Sequence, residues 1–217
     1  GVQGCVLGTL GYLPLYLRDI GWSGAQADGA LAVFHGVSML FTIPLALLSA
    51  RLGSRKTVLV IAILMIIAGT GLLSVVDGAV VWVAVIMAGI VRDGFMAVLI
   101  TTIIETEGVG PARAGTAVGF VLAFSGIAGM IGPPLGNSLA RFDPALPFTF
   151  WAVLAAGGLS VPVWVLFLRA DPSSIASRDL QILAMVSAIL VGLVFLSMIR
   201  SLTDRQERAA GALRRRA

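Results

Sequence analysis

Residues 86–100 read IMAGIVRDGFMAVLI and place two opposite charges, Arg92 and Asp93, in the middle of an apolar run. The run extends from Val80 to Ile104, and about 20 apolar residues in a helix are enough to cross the hydrocarbon core of a bilayer. This stretch therefore predicts a transmembrane helix. An ionised side chain at the bilayer centre costs about 2.5–3.5 kcal/mol, so such residues normally face protein or a water-filled cavity and carry function.

The composition of the whole chain agrees with this reading. Its 217 residues are 58% hydrophobic and 12% charged, about half the charged fraction of an average soluble domain. We expect an all-α, multi-pass integral membrane protein with no soluble domain left to bind nucleic acid. One His, one Cys and no clustered carboxylates predict no metal site. The absence of a Walker-type glycine loop predicts no ATP hydrolysis, and we expect no cofactor and no enzymatic activity.

Long apolar segments of this kind recur along the sequence and are joined by short connections. Each is close to the length that a membrane-spanning helix needs. The predicted spans are residues 1–17, 29–50, 57–76, 79–104, 112–140, 147–168 and 180–199.

The orientation follows from basic residues in short loops, which favour the cytoplasmic side. The second loop carries Arg51, Arg55 and Lys56, so we expect residues 51–56, 105–113 and 169–179 to be cytoplasmic. Tryptophans at the outer helix ends would then form the usual interfacial belt. They are Trp22, Trp82 and Trp151.

The ends of the chain leave two questions open. If residues 180–199 form a full span, the basic tail lies outside the cell, so this segment is either re-entrant or an extra helix. Such a tail beside a membrane would contact anionic lipid head groups. Its arginines are Arg200, Arg205, Arg208, Arg214, Arg215 and Arg216. The chain begins inside an apolar run, which suggests a fragment of a longer protein.

The loop after the second span carries a family motif. Residues 46–59, ALLSARLGSRKTVL, resemble the major facilitator superfamily signature G-x-L-a-D-r-x-G-r-k-x-x-l. The basic and turn residues of this loop are Arg51, Gly53, Arg55 and Lys56. Ala50 stands where the family has an Asp that helps to form a cytoplasmic charge latch. Because the second half of such transporters often carries a degenerate copy, the resemblance implies a C-terminal half. A plain positive-inside anchor is the alternative.

A second motif lies in the fifth span, at residues 115–140, GTAVGFVLAFSGIAGMIGPPLGNSLA. It resembles the antiporter signature G-x8-G-x3-G-P-x2-G-G of the same superfamily, with Ala128 and Asn137 as departures. The matching residues are Gly119, Gly132, Pro133 and Gly136. Glycines four apart allow helices to approach closely, and Pro133 and Pro134 predict a bend or break. In the family this helix lies between the two halves; ordinary tight packing is the alternative.

The polar residues of the spans are the candidate pathway residues. Adjacent helical positions diverge by about 100°, so Arg92 and Asp93 should not pair with each other, and we expect at least one of them to pair with another helix or to face a cavity. The resemblance places them where the family binds its solute, and a structural interhelical pair is the alternative. Gly94 would permit close approach of a neighbour. His35 is either a proton carrier or an interhelical hydrogen-bond donor.

The remaining polar candidates lie nearer the helix ends. Tyr12 is expected to line the cavity and Tyr16 to anchor the outer interface. Glu105 and Glu107 are expected to be solvated at the cytoplasmic end of the fourth span.

These features together predict a six-helix half of a major facilitator-type bundle over residues 1–170, with an extra hydrophobic helix and tail over 171–217. The resemblance implies transport of a small solute by alternating access, with protons as a coupling ion. The expected partners are the solute, the bilayer of a prokaryotic inner membrane and an N-terminal six-helix half. Alternatives are a seven-helix sensor or structural subunit, or an intramembrane hydrolase using Ser125 and His35, whose order along the chain is reversed.

Overall fold

The computed structural model describes residues 1–52, 55–106 and 109–169. Within these ranges the chain forms six long α-helices and one turn of 3-10 helix at Leu139–Arg141, with no strand. The all-α prediction is confirmed. The helices are α1 (Val2–Asp19), α2 (Gly24–Arg51), α3 (Arg55–Leu72), α4 (Val80–Ile104), α5 (Gly110–Ser138) and α6 (Leu146–Arg169).

The chain divides into two compact units, residues 1–159 and 160–217. Every contact given below lies within the first unit. Of the second unit, the structure describes the helical backbone of residues 160–169 at the end of α6.

The six helices agree with the first six predicted spans to within a few residues at each end. Among the described residues, four segments are long and apolar enough to cross a membrane, namely Gly24–Arg51, Arg55–Leu72, Val80–Ile104 and Ala112–Arg141. The predicted seventh span, 180–199, and the arginine-rich tail lie outside the described residues.

Helix α2 begins at Gly24, earlier than the predicted start at residue 29, because Ser23 caps it. The Ser23 Oγ accepts a hydrogen bond from the Gln26 amide at 3.3 Å, and the Gln26 Oε1 accepts one from the Ser23 amide at 3.1 Å. This reciprocal arrangement is a capping box, which satisfies amide groups that a helix start leaves without partners. The sequence carries its Ser-x-x-Gln signal.

At one end of the bundle the α1–α2 connection contacts the start of α4. Gly21 adopts φ +93°, a left-handed conformation that favours glycine and turns the chain between α1 and α2. The Arg18 guanidinium donates to both Asp28 carboxylate oxygens at 2.7 and 2.9 Å. The rings of Trp22 and Trp82 lie 5.6 Å apart, so these two tryptophans cluster at one end, as the belt prediction requires.

The opposite end brings the start of α3 beside the end of α4. There the Arg55 guanidinium lies 2.6 Å from the Glu105 carboxylate. The alternation of loop ends therefore follows the predicted topology. Which end faces the cytoplasm remains a prediction.

Packing within the bundle is uneven. Helix α4 packs against both α2 and α3, and α1 packs against α5. Small residues permit the α3–α4 contact: a Cβ added at Gly69 would lie 2.8 Å from the Ala88 Cβ and 2.9 Å from the Ala84 carbonyl oxygen. Close backbone approach at small residues is the usual way in which membrane helices gain packing energy.

A buried polar group ties α1 to α3. The Cys5 thiol donates to the Thr70 Oγ1 at 3.6 Å, and the Thr9 and Thr70 hydroxyls lie 3.5 Å apart. All three residues are buried. These groups satisfy one another where water is absent, which is the common role of Thr between membrane helices.

Helices α2 and α5 carry apolar faces that the described residues of the other helices leave uncovered. None of the described side chains of residues 112–131 in α5 is buried, and α2 is nearly as open. The exposed side chains of these faces are Met39, Leu40, Ile43 and Leu47 on α2 and Phe120, Phe124, Ile127, Met130, Ile131 and Leu135 on α5. We call these the open faces of α2 and α5.

Candidate functional site

The central feature is the ion pair between Arg92 and Asp93, at the midpoint of α4. The Arg92 Nη1 lies 2.7 Å from the Asp93 Oδ1. The prediction that these two neighbours do not pair with each other is therefore wrong, and the prediction that one of them faces a cavity stays a prediction. A separation of about 100° around the helix does not prevent the contact, because the long flexible arginine side chain carries its guanidinium back to the neighbouring carboxylate.

The pair is only partly covered by the bundle. The side chains of Arg92 and Asp93 are 27% and 37% exposed, and Arg92 lies twelve residues from each end of Val80–Ile104, or about 18 Å at 1.5 Å per residue. Charges at this depth are rarely in contact with lipid tails. We therefore expect water, a ligand or another protein surface to contact the exposed side of the pair.

Contacts with α2 fix the backbone of α4 at the Arg92–Asp93 pair. The Asp93 amide donates to the Ser38 Oγ at 3.0 Å, and Ser38 is fully buried. A Cβ added at Gly89 would lie 2.9 Å from the Phe34 carbonyl oxygen, and one at Gly94 would lie 2.9 Å from the Leu45 Cβ. The expectation that Gly94 admits a neighbouring helix is confirmed, and the neighbour is α2.

Tyr12 and Tyr16 belong to a buried aromatic cluster rather than to an open surface. Their exposures are 6% and 4%, and the Tyr16 ring lies 4.8 Å from that of Phe148. Tyr12 contacts Phe148 and Trp151 at 5.6 and 6.0 Å between centroids. Tyr16 is therefore not the interfacial anchor predicted, because α6 covers it. Within the described residues Tyr12 lies in this cluster, and its place in a pathway stays a prediction.

Trp151 of α6 is wedged between α1 and α5. It is fully buried, and its indole Nε1 donates to the Gly132 carbonyl at 3.1 Å. A methyl group added at Gly8 or at Gly136 would overlap the indole ring. Trp151 is thus a packing residue, and its predicted place in an interfacial belt is wrong, since no face of the ring is left for the interface.

The glycines of the α5 motif face two different environments. Gly132 meets the Gly4 Cα of α1, which would lie 3.1 Å from an added Cβ, whereas nothing lies within 4 Å of such a group at Gly119. Helix α5 continues through Pro133 and Pro134 to Ser138, so the predicted interruption is not a break. Gly132 and Gly136 serve packing within this bundle, and Gly119 remains available to a surface outside it.

His35 lies on the open side of α2. It is exposed, and its ring contacts that of its neighbour Phe34 at 5.9 Å. No hydrogen bond links it to another helix in the described part of the chain, so the interhelical-donor alternative is not supported there. Ser125 lies on α5, which does not pack extensively on α2. The structure therefore does not bring the Ser125 and His35 of the hydrolase alternative together.

The basic loop motif makes one specific contact. Arg55 pairs with Glu105, whose side chain is 52% exposed, so Glu105 is solvated as predicted and in addition carries an ion pair. Glu107 lies outside the described residues. Arg51 and Lys56 are exposed. Gly53 also lies outside the described residues.

A cleft of about 530 Å³ opens between the helices on the α5 side of α4. Its walls include Phe95, Met96 and Leu99 of α4 and Phe124 and Ser125 of α5. Met96 and Leu99 follow Arg92 at helical spacings of four and seven residues, so they share one face of α4 with it. The cleft thus lies about one turn further along α4 than the ion pair and is mainly apolar.

Two residues of this region have no strong signal in the sequence. In the sequence, Ser38 is an isolated serine in an apolar segment, and Trp151 lies near a helix end, where a tryptophan usually indicates the membrane interface. No group of three or more potential metal-ligating His, Cys, Asp or Glu side chains occurs among the described residues.

Comparison with known families gives one result. A family profile described as Major Facilitator Superfamily matches residues 3–211. The match extends further along the chain than residues 1–170, which the sequence motifs covered. Comparison with curated proteins gives no match, and neither does comparison with solved structures.

Proposed function

Because the chain belongs to the major facilitator superfamily, we propose that it is one half of a secondary transporter that moves a small solute by alternating access. Members of this superfamily are membrane transporters rather than enzymes, so the chain is an integral membrane protein of solute transport. The bilayer that we propose for it is a prokaryotic inner membrane. In such transporters the solute binds near the bilayer midplane, and two halves rock around that site.

The Arg92–Asp93 pair is the observation that carries the proposal. It lies at the middle of α4, the most apolar of the four membrane-length segments among the described residues, with one side uncovered. A solute with an anionic group could compete with Asp93 for the Arg92 guanidinium, whose planar donors suit bidentate binding. A proton on Asp93 would weaken the pair and free Arg92 in the same way. Solute binding and proton binding would thus act on one ion pair, which is a simple basis for coupling.

The open faces of α2 and α5 support the second half as the partner. They are apolar and extend along two whole helices, and His35 and Gly119 lie on these two helices without cover from the described bundle. Two helices without covering neighbours are what a half-bundle needs in order to meet a complementary half. We therefore propose that the other six-helix half covers them.

The transport proposal is tested in proteoliposomes that contain the whole transporter. A panel of small anionic, cationic and neutral solutes is screened with the wild type, and the solute that it moves is used for the variants. We expect Arg92→Gln and Asp93→Asn to lose at least tenfold in flux at normal folded yield. Arg18→Gln is the matched control, because Arg18 also pairs with an aspartate but at a helix end. Normal flux in folded Arg92→Gln would refute the role of the pair.

The exchanged double variant, Arg92→Asp with Asp93→Arg, distinguishes a pathway role from a structural one. It keeps both charges and their ability to pair but moves each by one position around α4. Full recovery of flux would mean that pairing alone matters. We expect recovery of folded protein without recovery of flux.

The partner is tested by co-purification of the two halves from separate genes. Ile43→Asn and Ile131→Asn, on the open faces, should reduce recovery of the other half. Val83→Asn is the control, because Val83 is also exposed but lies on α4. Equal recovery with all three variants would contradict the proposed interface, as would a stable dimer of this chain alone that forms through the same faces.

A further inference from the structure

Ser38 is the one side chain of α2 that hydrogen-bonds to the backbone at the Arg92–Asp93 pair in the described structure. Its Oγ accepts the amide hydrogen of Asp93 at 3.0 Å. An amide in the interior of a helix already has a carbonyl four residues earlier as its regular acceptor. The serine hydroxyl is therefore an additional link between helices rather than a replacement for a missing bond.

The link lies at the closest approach of the two helices. One turn from Asp93, Gly89 admits the backbone of Phe34, whose carbonyl oxygen would lie 2.9 Å from a Cβ at that glycine. Phe34 is likewise one turn from Ser38, so consecutive turns of α2 contact consecutive turns of α4. Because Gly89 has no side chain, a residue as short as serine can reach the α4 backbone.

We infer that Ser38 is a positioning residue for the Arg92–Asp93 pair, fixing the rotation of α4 and hence the directions in which the two charged side chains leave the helix. This inference rests on the proposed function of that pair. Ser38 is 0% exposed, so it has no surface with which to touch a solute. Its influence must pass through the backbone of α4.

The chain provides a control for the loss of a buried hydroxyl. Ser49 also lies on α2 and is buried, but its Oγ donates to the Ala46 carbonyl of its own helix at 2.7 Å. Ser38→Ala and Ser49→Ala therefore remove the same group from the same helix. Of the two hydrogen bonds that they remove, the one made by Ser38 is the one that joins α2 to α4.

The rotation of α4 can be measured without knowing the solute. In a Cys5→Ala background, single cysteines are placed at Met96 and Ala97, which are both half-buried and about 100° apart around the helix. Their rates of reaction with a small maleimide are compared in proteoliposomes. We expect Ser38→Ala to change the ratio of the two rates at least threefold and Ser49→Ala to leave it unchanged. Equal ratios in the two backgrounds would overturn the inference.

A second pair of variants covers the case in which Ser38→Ala yields no folded protein. Threonine and valine have nearly the same shape, but only threonine retains a hydroxyl acceptor. Ser38→Thr should keep the wild-type ratio, and Ser38→Val should shift it. The same ratio in both would overturn the inference.

Flux measurements separate this inference from the proposed function. We expect Ser38→Ala to raise the transport KM at least threefold relative to Ser49→Ala, with a smaller change in the maximal rate. If Arg92→Gln has normal flux, the pathway role of the pair fails whatever Ser38 does. If Arg92→Gln is impaired but Ser38→Ala matches Ser49→Ala in both ratio and KM, only the role of Ser38 fails.

Discussion

A methyl group at Gly136 should destabilise the bundle, whereas the same group at Gly119 should not. Both glycines belong to the α5 motif, and both lie inside one helix. An added Cβ at Gly136 would overlap the rigid Trp151 indole, but nothing lies within 4 Å of one at Gly119. The two Gly→Ala substitutions therefore have the same effect on helix propensity and differ only in the packing around the added methyl group.

The magnitude follows from two opposing terms. Replacing Gly by Ala inside a helix gains about 0.8–1.0 kcal/mol of helix propensity, and this gain applies at both positions. Overpacking a filled site costs about 1–3 kcal/mol, and it applies only at Gly136. Gly119→Ala should then be neutral or stabilising, and Gly136→Ala should be less stable than Gly119→Ala by about 1–3 kcal/mol.

The comparison is made on the purified chain in detergent by SDS titration, with the two variants and the wild type unfolded side by side. Intrinsic fluorescence, to which all four tryptophans of the chain contribute, follows loss of tertiary packing, and circular dichroism follows helix content. If Gly136→Ala unfolds at the same SDS concentration as Gly119→Ala, the wedge of Trp151 between α1 and α5 does not exist as described.

Three further outcomes are expected. Arg55→Ala should lower the free energy of unfolding by no more than about 1 kcal/mol, because its pair with Glu105 is partly exposed. Unfolding at low and high salt checks this. A larger loss would show that the pair is better shielded than its exposure implies. Cys5 is fully buried and should react with maleimide only after unfolding, so rapid labelling of native protein would contradict the α1–α3 packing. In a Cys5→Ala background, Lys56→Cys should be labelled by a membrane-impermeant reagent only from the cytoplasmic side and Ser23→Cys only from outside; the reverse pattern would invert the topology.

The helices were predictable because hydrophobicity and length specify them almost alone. Glycine and proline in the connections, together with basic residues in the loops, set the ends to within a few residues. Among the helix boundaries, the largest difference is at the start of α2. The Ser23–Gln26 capping box sets that start, and hydrophobicity alone does not indicate it.

The contacts of the candidate site were less predictable, because they depend on which faces of the helices meet. Helical periodicity predicts that the side chains of Arg92 and Asp93 leave α4 in directions about 100° apart. It does not include the length of the arginine side chain, which allows the two to meet. Trp151 and Tyr16 looked interfacial from their positions near helix ends, yet α1 and α6 pack so that both are buried. Side-chain reach and helix rotation are tertiary properties, and a membrane sequence gives little amphipathic pattern from which to infer them.

The open faces of α2 and α5 have a consequence for how firmly the proposed second half would bind to this bundle. In water, covering so much apolar surface would release a large hydrophobic free energy and make separation slow. In a bilayer the competing solvent is itself hydrocarbon, so exchanging lipid for protein against Met39 or Phe124 changes little beyond the quality of packing. Such a contact would slide or part at small cost, while the described bundle stays folded through its own close helix crossings at Gly69 and Gly89. If the proposed alternating-access cycle operates, such an interface would align the two halves without locking them in one state.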